Sequence, residues 1–255
     1  MNSEKQVLKS SVGIVILNYC SYMDTIRLVT DLQSQTGDIE LSIVVIDNCS
    51  PNESFMILND ELKKFANTII VQSGKNGGYA YGNNFGLKEL EKKSPQFVVI
   101  MNNDIYFDNN LIELMVKRYK KIDNVGFIAP LQYNAHNLIA TTPSLSMPKF
   151  IDDLLMNFLL FRLLKRNQEL NINYQSKNLQ VDIILGSFMF TEFSLFKEIG
   201  YFSPKTFLFG EERFVAMKIK NKGKKNFILT DLKYIHKHST TINQHIARFK
   251  QNKYL

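Results

Sequence analysis

Apolar residues in the first hundred positions come in four short runs, each ended abruptly by polar side chains. They are "SVGIVILNY" at 11–19, "LSIVVIDNCS" at 41–50, "NTIIVQSG" at 67–74 and "QFVVIMNND" at 96–104. Short β-branched runs bounded by turn-forming residues predict buried strands of a parallel sheet. Between them the spacing predicts helices over 22–35, with Asp24 as its cap, then over 53–65 and over 81–93. Strand and helix alternate through residue 120. That order predicts an α/β fold, a doubly wound and mostly parallel sheet with right-handed crossovers.

In open sheets of this kind, ligands bind outside the carboxyl ends of the strands. The polar clusters sit at those ends: Asn18, then Asp47-Asn48-Cys49-Ser50, then Asn76-Gly77-Gly78, then Asn102-Asn103-Asp104. One such cluster reads as a turn, because Asn, Asp and Gly are turn formers. Four along one edge read as a ligand site. The chain has no G-x-G-x-x-G after its first strand and no G-x-x-x-x-G-K-[ST], which disfavours a dinucleotide or a P-loop nucleotide. A carboxylate at a strand end can instead hold a divalent cation, and the cation a diphosphate. Asp104 is placed for that task.

Composition narrows the setting. The chain has 255 residues, 45% hydrophobic and 22% charged, enough to bury a full core. Its two cysteines, Cys20 and Cys49, offer neither a disulfide framework nor a ligand spacing, and read as buried thiols near strand ends in a reducing compartment. No apolar stretch has the length of a membrane span, so a cytoplasmic protein is expected. The net charge of +7 is uneven, with residues 201–255 alone carrying +9. Such a balance suits an anionic partner or a solvated basic face. No basic stretch interleaved with aromatics forms a nucleic-acid motif, so none is expected as a partner.

The second half adds candidate chemistry. "VDIILGSFMFTEFSLFKEIGYF", 181–202, reads as a strand, a tight glycine at Gly186 and a helix beginning near Phe193. "FLFGEERFVAMKIKNKG", 207–223, places Glu211 and Glu212 at the start of an amphipathic helix with Phe214, Met217 and Ile219 on or near its buried face. Carboxylates are favoured there by the helix dipole, so capping is one reading of the pair. "YIHKHSTTI", 234–242, brings two histidines, His236 and His238, onto one face if the segment is extended.

Together, Asn18-Tyr19, "VVIDNCSPNES", "NGGYAYGNNFGLK", "MNNDIYFDNNLIELM" and "GSFMFTEFSLFKEIGYFSPKTFLFGEERF" resemble family 2 glycosyltransferases with the nucleotide-sugar-binding type A fold. The resemblance runs from about residue 12 to 240 and is greatest to the branch containing rhamnosyltransferases of bacterial surface polysaccharides and capsules. It implies that Asp47 hydrogen-bonds the nucleotide base with Asn18 beside it. It also implies that Asn76, Gly78 and Asn84 line the nucleotide pocket, and that Asn102-Asn103-Asp104 stands where the family carries its metal-binding Asp-x-Asp. Asn occupies the position of the first acid, which leaves Asp104 as the direct ligand, and His236 matches a position that completes the metal or diphosphate site. Asp182 and Gly186 fall on the acceptor side. Glu211-Glu212 stands where the family has Glu-Asp, whose second member is the general base, so Glu212 takes that role with Glu211 as the alternative.

The expectation is a single domain over 1–255, with a nucleotide-sugar-binding half at 11–120 and an acceptor-binding half at 121–255. The expected reaction is inverting and metal-dependent, using Mn2+ or Mg2+. It moves a sugar from dTDP-rhamnose or a UDP-sugar to a hydroxyl of a surface polysaccharide or lipid-linked oligosaccharide. Imidazole suits manganese better than calcium. Two other classes are kept open: a nucleotidyltransferase, and a non-catalytic protein that retains the fold, to which Asn102 lends weight. Residues 151–166 carry nine large apolar residues between Leu154 and Leu164, flanked by Lys149, Arg162, Lys165 and Arg166. That run fits a helix on an anionic membrane surface at the inner face of the cell membrane, a buried helix or a partner-binding face equally well.

Overall fold

The computed structural model describes residues 9–136, 138–139, 176–204 and 210–237. The run at 151–166 and His238 lie outside the described residues. The first half follows the predicted alternation: β1 (Ser10–Asn18), α1 (Tyr22–Gln33), β2 (Ile39–Asp47), α2 (Ser54–Leu62), β3 (Thr68–Gln72), α3 (Gly78–Leu90) and β4 (Phe97–Asn102). Then come β5 (Ile105–Tyr106), α4 (Leu111–Tyr119), β6 (Val125–Asn134), β7 (Asn178–Val181), β8 (Phe188–Glu192), α5 (Phe193–Glu198), α6 (Glu211–Asn221) and β9 (Lys225–His236).

These strands form one sheet in the order β3-β2-β1-β4-β8-β6-β9-β5, with β7 on β9. The first four strands are parallel, as predicted. Beyond β4 the sheet is mixed, since β8 runs antiparallel between β4 and β6, while β6 and β9 pair in parallel. One sheet therefore passes through both halves of the chain.

Alternation along each strand sends side chains to opposite faces. Ile14, Ile16, Ile43, Val45, Val99 and Met101 pack under α1, α2 and α4. Val15, Val44, Ile46, Val98 and Ile100 pack under α3, α5 and α6. Strands covered on both faces read as unbroken apolar runs, and each such side chain contributes roughly 1.5–3 kcal/mol on burial. Helix α3 approaches the sheet closely through two of its glycines. A Cβ at Gly82 would lie 2.3 Å from Leu17 Cδ1, and one at Gly86 would lie 2.2 Å from Ile46 Cδ1.

Several local expectations are corrected. The N-cap of α1 is Ser21, with Asp24 inside the first turn. Helix α3 begins at Gly78, three residues before the predicted start, directly after the Asn-Gly turn. Cys49 is exposed and Cys20 partly so, both at positive φ where the chain turns away from β1 and β2. On α6 the core-facing residues are Val215, Ala216 and Ile219, while Phe214 and Met217 are 39% and 48% exposed.

Candidate active site

The C-terminal ends of β1, β2 and β4 meet the start of β8 and the end of β9 on one edge of the sheet. Register puts Asn18 opposite Asp47, Leu17 opposite Asn102, Met101 opposite Phe188, and Ile105 opposite His236. The chain brings the predicted residues to this edge but uses them in different ways.

Asp47 is fully buried. Its Oδ1 accepts from Asn18 Nδ2 (2.8 Å) and Ser50 Oγ (2.6 Å), and its Oδ2 from Ser50 N (2.9 Å) and Gln72 Nε2 (3.1 Å). The carboxylate thus braces the ends of β1, β2 and β3. A base contact through Asp47 requires one of these donors to move aside, and Gln72 is the exposed one. Next to it Asn48 donates to Asn76 Oδ1 (3.0 Å) and to the Gly78 carbonyl (3.2 Å), and accepts from Ser73 Oγ (3.0 Å). Asn76 Oδ1 also accepts from Gly78 N at 3.2 Å, which closes the turn into α3.

Two predicted donor-side residues face elsewhere. Asn84 exchanges both amide groups with the backbone of Phe202, donating at 2.9 Å and accepting at 3.1 Å. It clamps α3 to the segment after α5. Asn103 donates to Ser21 Oγ (2.7 Å) and Thr25 Oγ1 (2.8 Å), tying the β4–β5 loop to the start of α1. Arg27 donates to the Asn103 carbonyl at 2.8 Å and lies 3.7 Å from the centre of the Tyr106 ring, holding the same loop from outside.

Asn102 and Asp104 meet His236. Asp104 Oδ1 and His236 Nε2 are 3.0 Å apart in a pair that is about nine-tenths buried, and Asn102 Nδ2 lies 3.4 Å from the same ring nitrogen. Among the described residues no three of His, Cys, Asp and Glu converge as a closed metal cage. One carboxylate and one imidazole do fit a hard-to-borderline divalent cation that takes its other ligands from a substrate diphosphate.

The base candidates open α6. Gly210, at φ 92°, supplies the left-handed N-cap that only a residue without Cβ adopts readily. Glu211 is buried, while Glu212 is partly exposed and its Oε1 accepts from Gly186 N at 3.2 Å. The Gly186 carbonyl in turn accepts from Tyr79 Oη at 2.6 Å. Burial first, then the charges of Glu212 and Glu211, push the Tyr79 hydroxyl well above its ordinary range, so it remains a donor. A Cβ on Gly186 would lie 2.8 Å from Glu212 Oε1 and 3.1 Å from Tyr79 Oη, so a side chain here would push the tip of Glu212 away from its backbone donor. One residue on, the Ser187 carbonyl accepts from Asn102 N at 3.1 Å. The Gly186-Ser187 turn therefore joins the Glu212 side of the site to the Asp104–His236 side. Asp182 stands at the end of β7, where its carbonyl accepts from Asn226 Nδ2 at 2.8 Å.

Tyr79, Gln132, Ser187 and Tyr234 were not singled out from the sequence. Tyr79 sits one residue past the glycines that drew attention, and the other three come from strands whose pairing no local pattern reveals.

The sequence matches the model described as Glycosyl transferase family 2 over residues 11–200. It is 25% identical over 209 residues to the low-salt glycan biosynthesis hexosyltransferase Agl10 of Haloferax volcanii, a match covering 82% of this chain and 61% of that protein. In structure it is similar to GalNAc-T7 with UDP, GalNAc and Mn2+, at 16% identity and a TM-score of 0.67, over 92% of this chain and 44% of that one. It is also similar to the mannosyltransferase PcManGT from Pyrobaculum calidifontis in complex with GDP-Man and Mn2+, at 14% identity and a TM-score of 0.65, over 92% of this chain and 59% of that one. The chain thus spans about three-fifths or less of the length of these relatives. At such identities the structural likeness carries the fold, which is the type A glycosyltransferase fold.

Proposed function

The chain belongs to glycosyl transferase family 2, and from that premise we propose that it transfers a sugar from a nucleoside-diphospho-sugar to a hydroxyl of a glycan or lipid-linked glycan, with inversion at the anomeric carbon. The observation that carries this reading is the Gly186-Ser187 turn, which bonds a half-exposed carboxylate on one side and, on the other, the backbone of Asn102, whose side chain lies against the His236 ring of the Asp104–His236 pair.

Glu212 Oε1 is oriented by a backbone N–H and keeps its remaining lone pairs for the acceptor hydroxyl. As the acceptor oxygen bonds to the anomeric carbon, its proton passes to Glu212, and the bond from that carbon to the diphosphate oxygen breaks on the opposite face. Glu211, buried at the first helical position, is the runner-up. Asp104 and His236 would hold a divalent cation, Mn2+ or Mg2+, whose charge would offset that developing on the departing diphosphate. The solved neighbours with UDP or GDP-Man and Mn2+ lend support to that cofactor class. The donor in this reading is dTDP-rhamnose or a UDP-sugar, bound along the edge from Asp47 and Asn48 to Asn76 and Gly78. Among the described residues no helix is long and apolar enough to cross a membrane. Contact with a membrane-borne acceptor in this reading falls to a cytoplasmic protein docking on the inner face.

Thermal-shift titration with uridine and thymidine diphosphates, each with and without Mn2+, tests the donor site. A rise in midpoint that needs the metal and disappears in Asp104→Ala supports it, because a ligand that binds only the native state stabilises that state. No shift with either nucleotide would turn the reading towards a fold that has lost turnover.

A further inference from the structure

The proposed base is oriented by Gly186, and a glycine has the widest backbone freedom of any residue. What holds this one comes from α3. Tyr79 Oη donates to the Gly186 carbonyl at 2.6 Å, while Gly186 N donates to Glu212 Oε1 at 3.2 Å. The same buried turn is closed by Phe188 N on the Leu185 carbonyl (3.3 Å) and by Asn102 N on the Ser187 carbonyl (3.1 Å). We propose that Tyr79 is a positioning residue for Glu212, its hydroxyl fixing the Gly186 turn so that the N–H on the other side of the same Cα aims the carboxylate at the acceptor. The inference rests on the reading of Glu212 as the base.

The carbonyl that Tyr79 binds and the N–H that binds Glu212 belong to neighbouring peptide planes, joined only through φ and ψ of Gly186. Holding the carbonyl therefore limits how far the N–H can turn. A buried carbonyl that loses its donor carries the full cost of desolvation, so without the hydroxyl its plane rotates towards another partner. Glycine has no side chain to resist that rotation, and Glu212 moves with its donor. The hydroxyl suits the task because it stays protonated. Burial is the larger cause and the charges of Glu212 and Glu211 the smaller, so it remains a donor when Glu212 takes up a proton. The ring is seated independently of the hydroxyl. It packs edge-on against Phe202 with 5.6 Å between centroids, and Asn84 bonds both backbone groups of Phe202. Tyr79→Phe thus removes one oxygen and leaves the ring its seat. Tyr79 also follows directly on Gly78, whose N–H bonds to Asn76 and whose carbonyl bonds to Asn48. The aim of the base is in this way tied to the turn at the proposed donor edge.

Two measurements test the proposal, one of which needs no substrate. In protein labelled with 15N-glycine the twelve glycines give a sparse spectrum, and the Gly186 amide is assigned by its loss in Gly186→Ala. Glu212→Gln, which replaces a charged acceptor by a neutral one, should move its proton upfield, and Tyr79→Phe should move it the same way. A Gly186 signal that either variant leaves in place overturns the proposal. The second measurement is a double-mutant cycle in turnover, read as nucleoside diphosphate released from dTDP-rhamnose or UDP-glucose with octyl glucoside as acceptor. In Tyr79→Phe kcat should fall about 10-fold with donor affinity within about twofold of wild type, a part of the roughly 100-fold that a displacement of about 1 Å costs. In the Glu212→Gln background the same change should cost less than about twofold, because residues that act as a unit are not additive. A folded Tyr79→Phe with wild-type kcat overturns the proposal and leaves the base reading standing. Equal losses in both backgrounds also overturn it, since a merely structural role gives that result. Wild-type turnover in Glu212→Gln takes down the base reading and this proposal together. Where neither donor is turned over, the glycine spectra decide.

Discussion

Asp47 and Glu212 are carboxylates at the same edge of the same sheet, and the chain treats them oppositely. Asp47 is sealed from solvent and accepts four hydrogen bonds from Asn18, Ser50 and Gln72. Glu212 is half-buried and accepts one, from the backbone of Gly186. A carboxylate saturated by internal donors has no lone pair left for a substrate proton and serves as a brace. One held by a single N–H keeps its orientation and has lone pairs to spare. The same contrast separates Asn103, bound to α1, from Asn102, which faces the His236 ring. Residue type at a strand end is thus shared by scaffold and site, and the difference lies in how many partners the fold supplies.

The comparison can be broken at several points. Asp47→Ala removes the acceptor of four donors, of which Asn18 Nδ2 is buried while those of Ser50 and Gln72 can reach solvent, and should lower unfolding free energy by about 2–3 kcal/mol in urea titrations. A loss below about 1 kcal/mol would mean that the brace is not one. Gly186→Ala brings a methyl against Glu212 Oε1 and Tyr79 Oη. The tips of these side chains can swing aside, so stability should fall by less than about 1 kcal/mol, but displacing the base should lower kcat about 100-fold with donor affinity nearly unchanged. Asn103→Ala should cost about 1–2 kcal/mol through its lost ties to Ser21 and Thr25. Isothermal titration should show donor affinity preserved, and a loss of that affinity beyond tenfold would move Asn103 from scaffold into the site.

The smallest effect sharpens the contrast by pH. The Lys197 ammonium and the Tyr201 hydroxyl, both bonded to Glu91, hold its carboxyl below the ordinary value of 4.5. Its folded pKa is the lower one, so its contribution to stability is complete above the ordinary value and fades as pH falls through the folded value. The melting midpoints of wild type and Glu91→Gln should therefore differ slightly at pH 7 and converge as the pH falls below 4.5. A difference that grows in acid would contradict the sign.

The first four strands and their polar ends are legible in the sequence because a strand buried on both faces leaves an unbroken apolar run. The entry of β8 between β4 and β6 is not legible, since antiparallel insertion is decided by long-range pairing. The resemblance to the family implies one shared site for Asp104, His236, Gly186 and Glu212. It does not show how fully Asp47 and Asn84 are bonded within the fold, because that depends on which backbone and side-chain donors arrive from elsewhere in the chain. Phe214 and Met217 were expected near the core with Ile219, but at 3.6 residues per turn they stand about 140° and 160° away from it around the helix. The sheet covers a narrower face, through Val215, Ala216 and Ile219.

The central claim is that Glu212 takes the acceptor's proton, and it is tested most directly by the turnover of Glu212→Gln beside its donor binding. Glutamine keeps the size of the side chain and an oxygen for Gly186 N, so donor affinity and the melting midpoint should stay at wild-type values while kcat falls about 10²- to 10⁴-fold. A variant that binds donor and turns over at the wild-type rate would contradict the account.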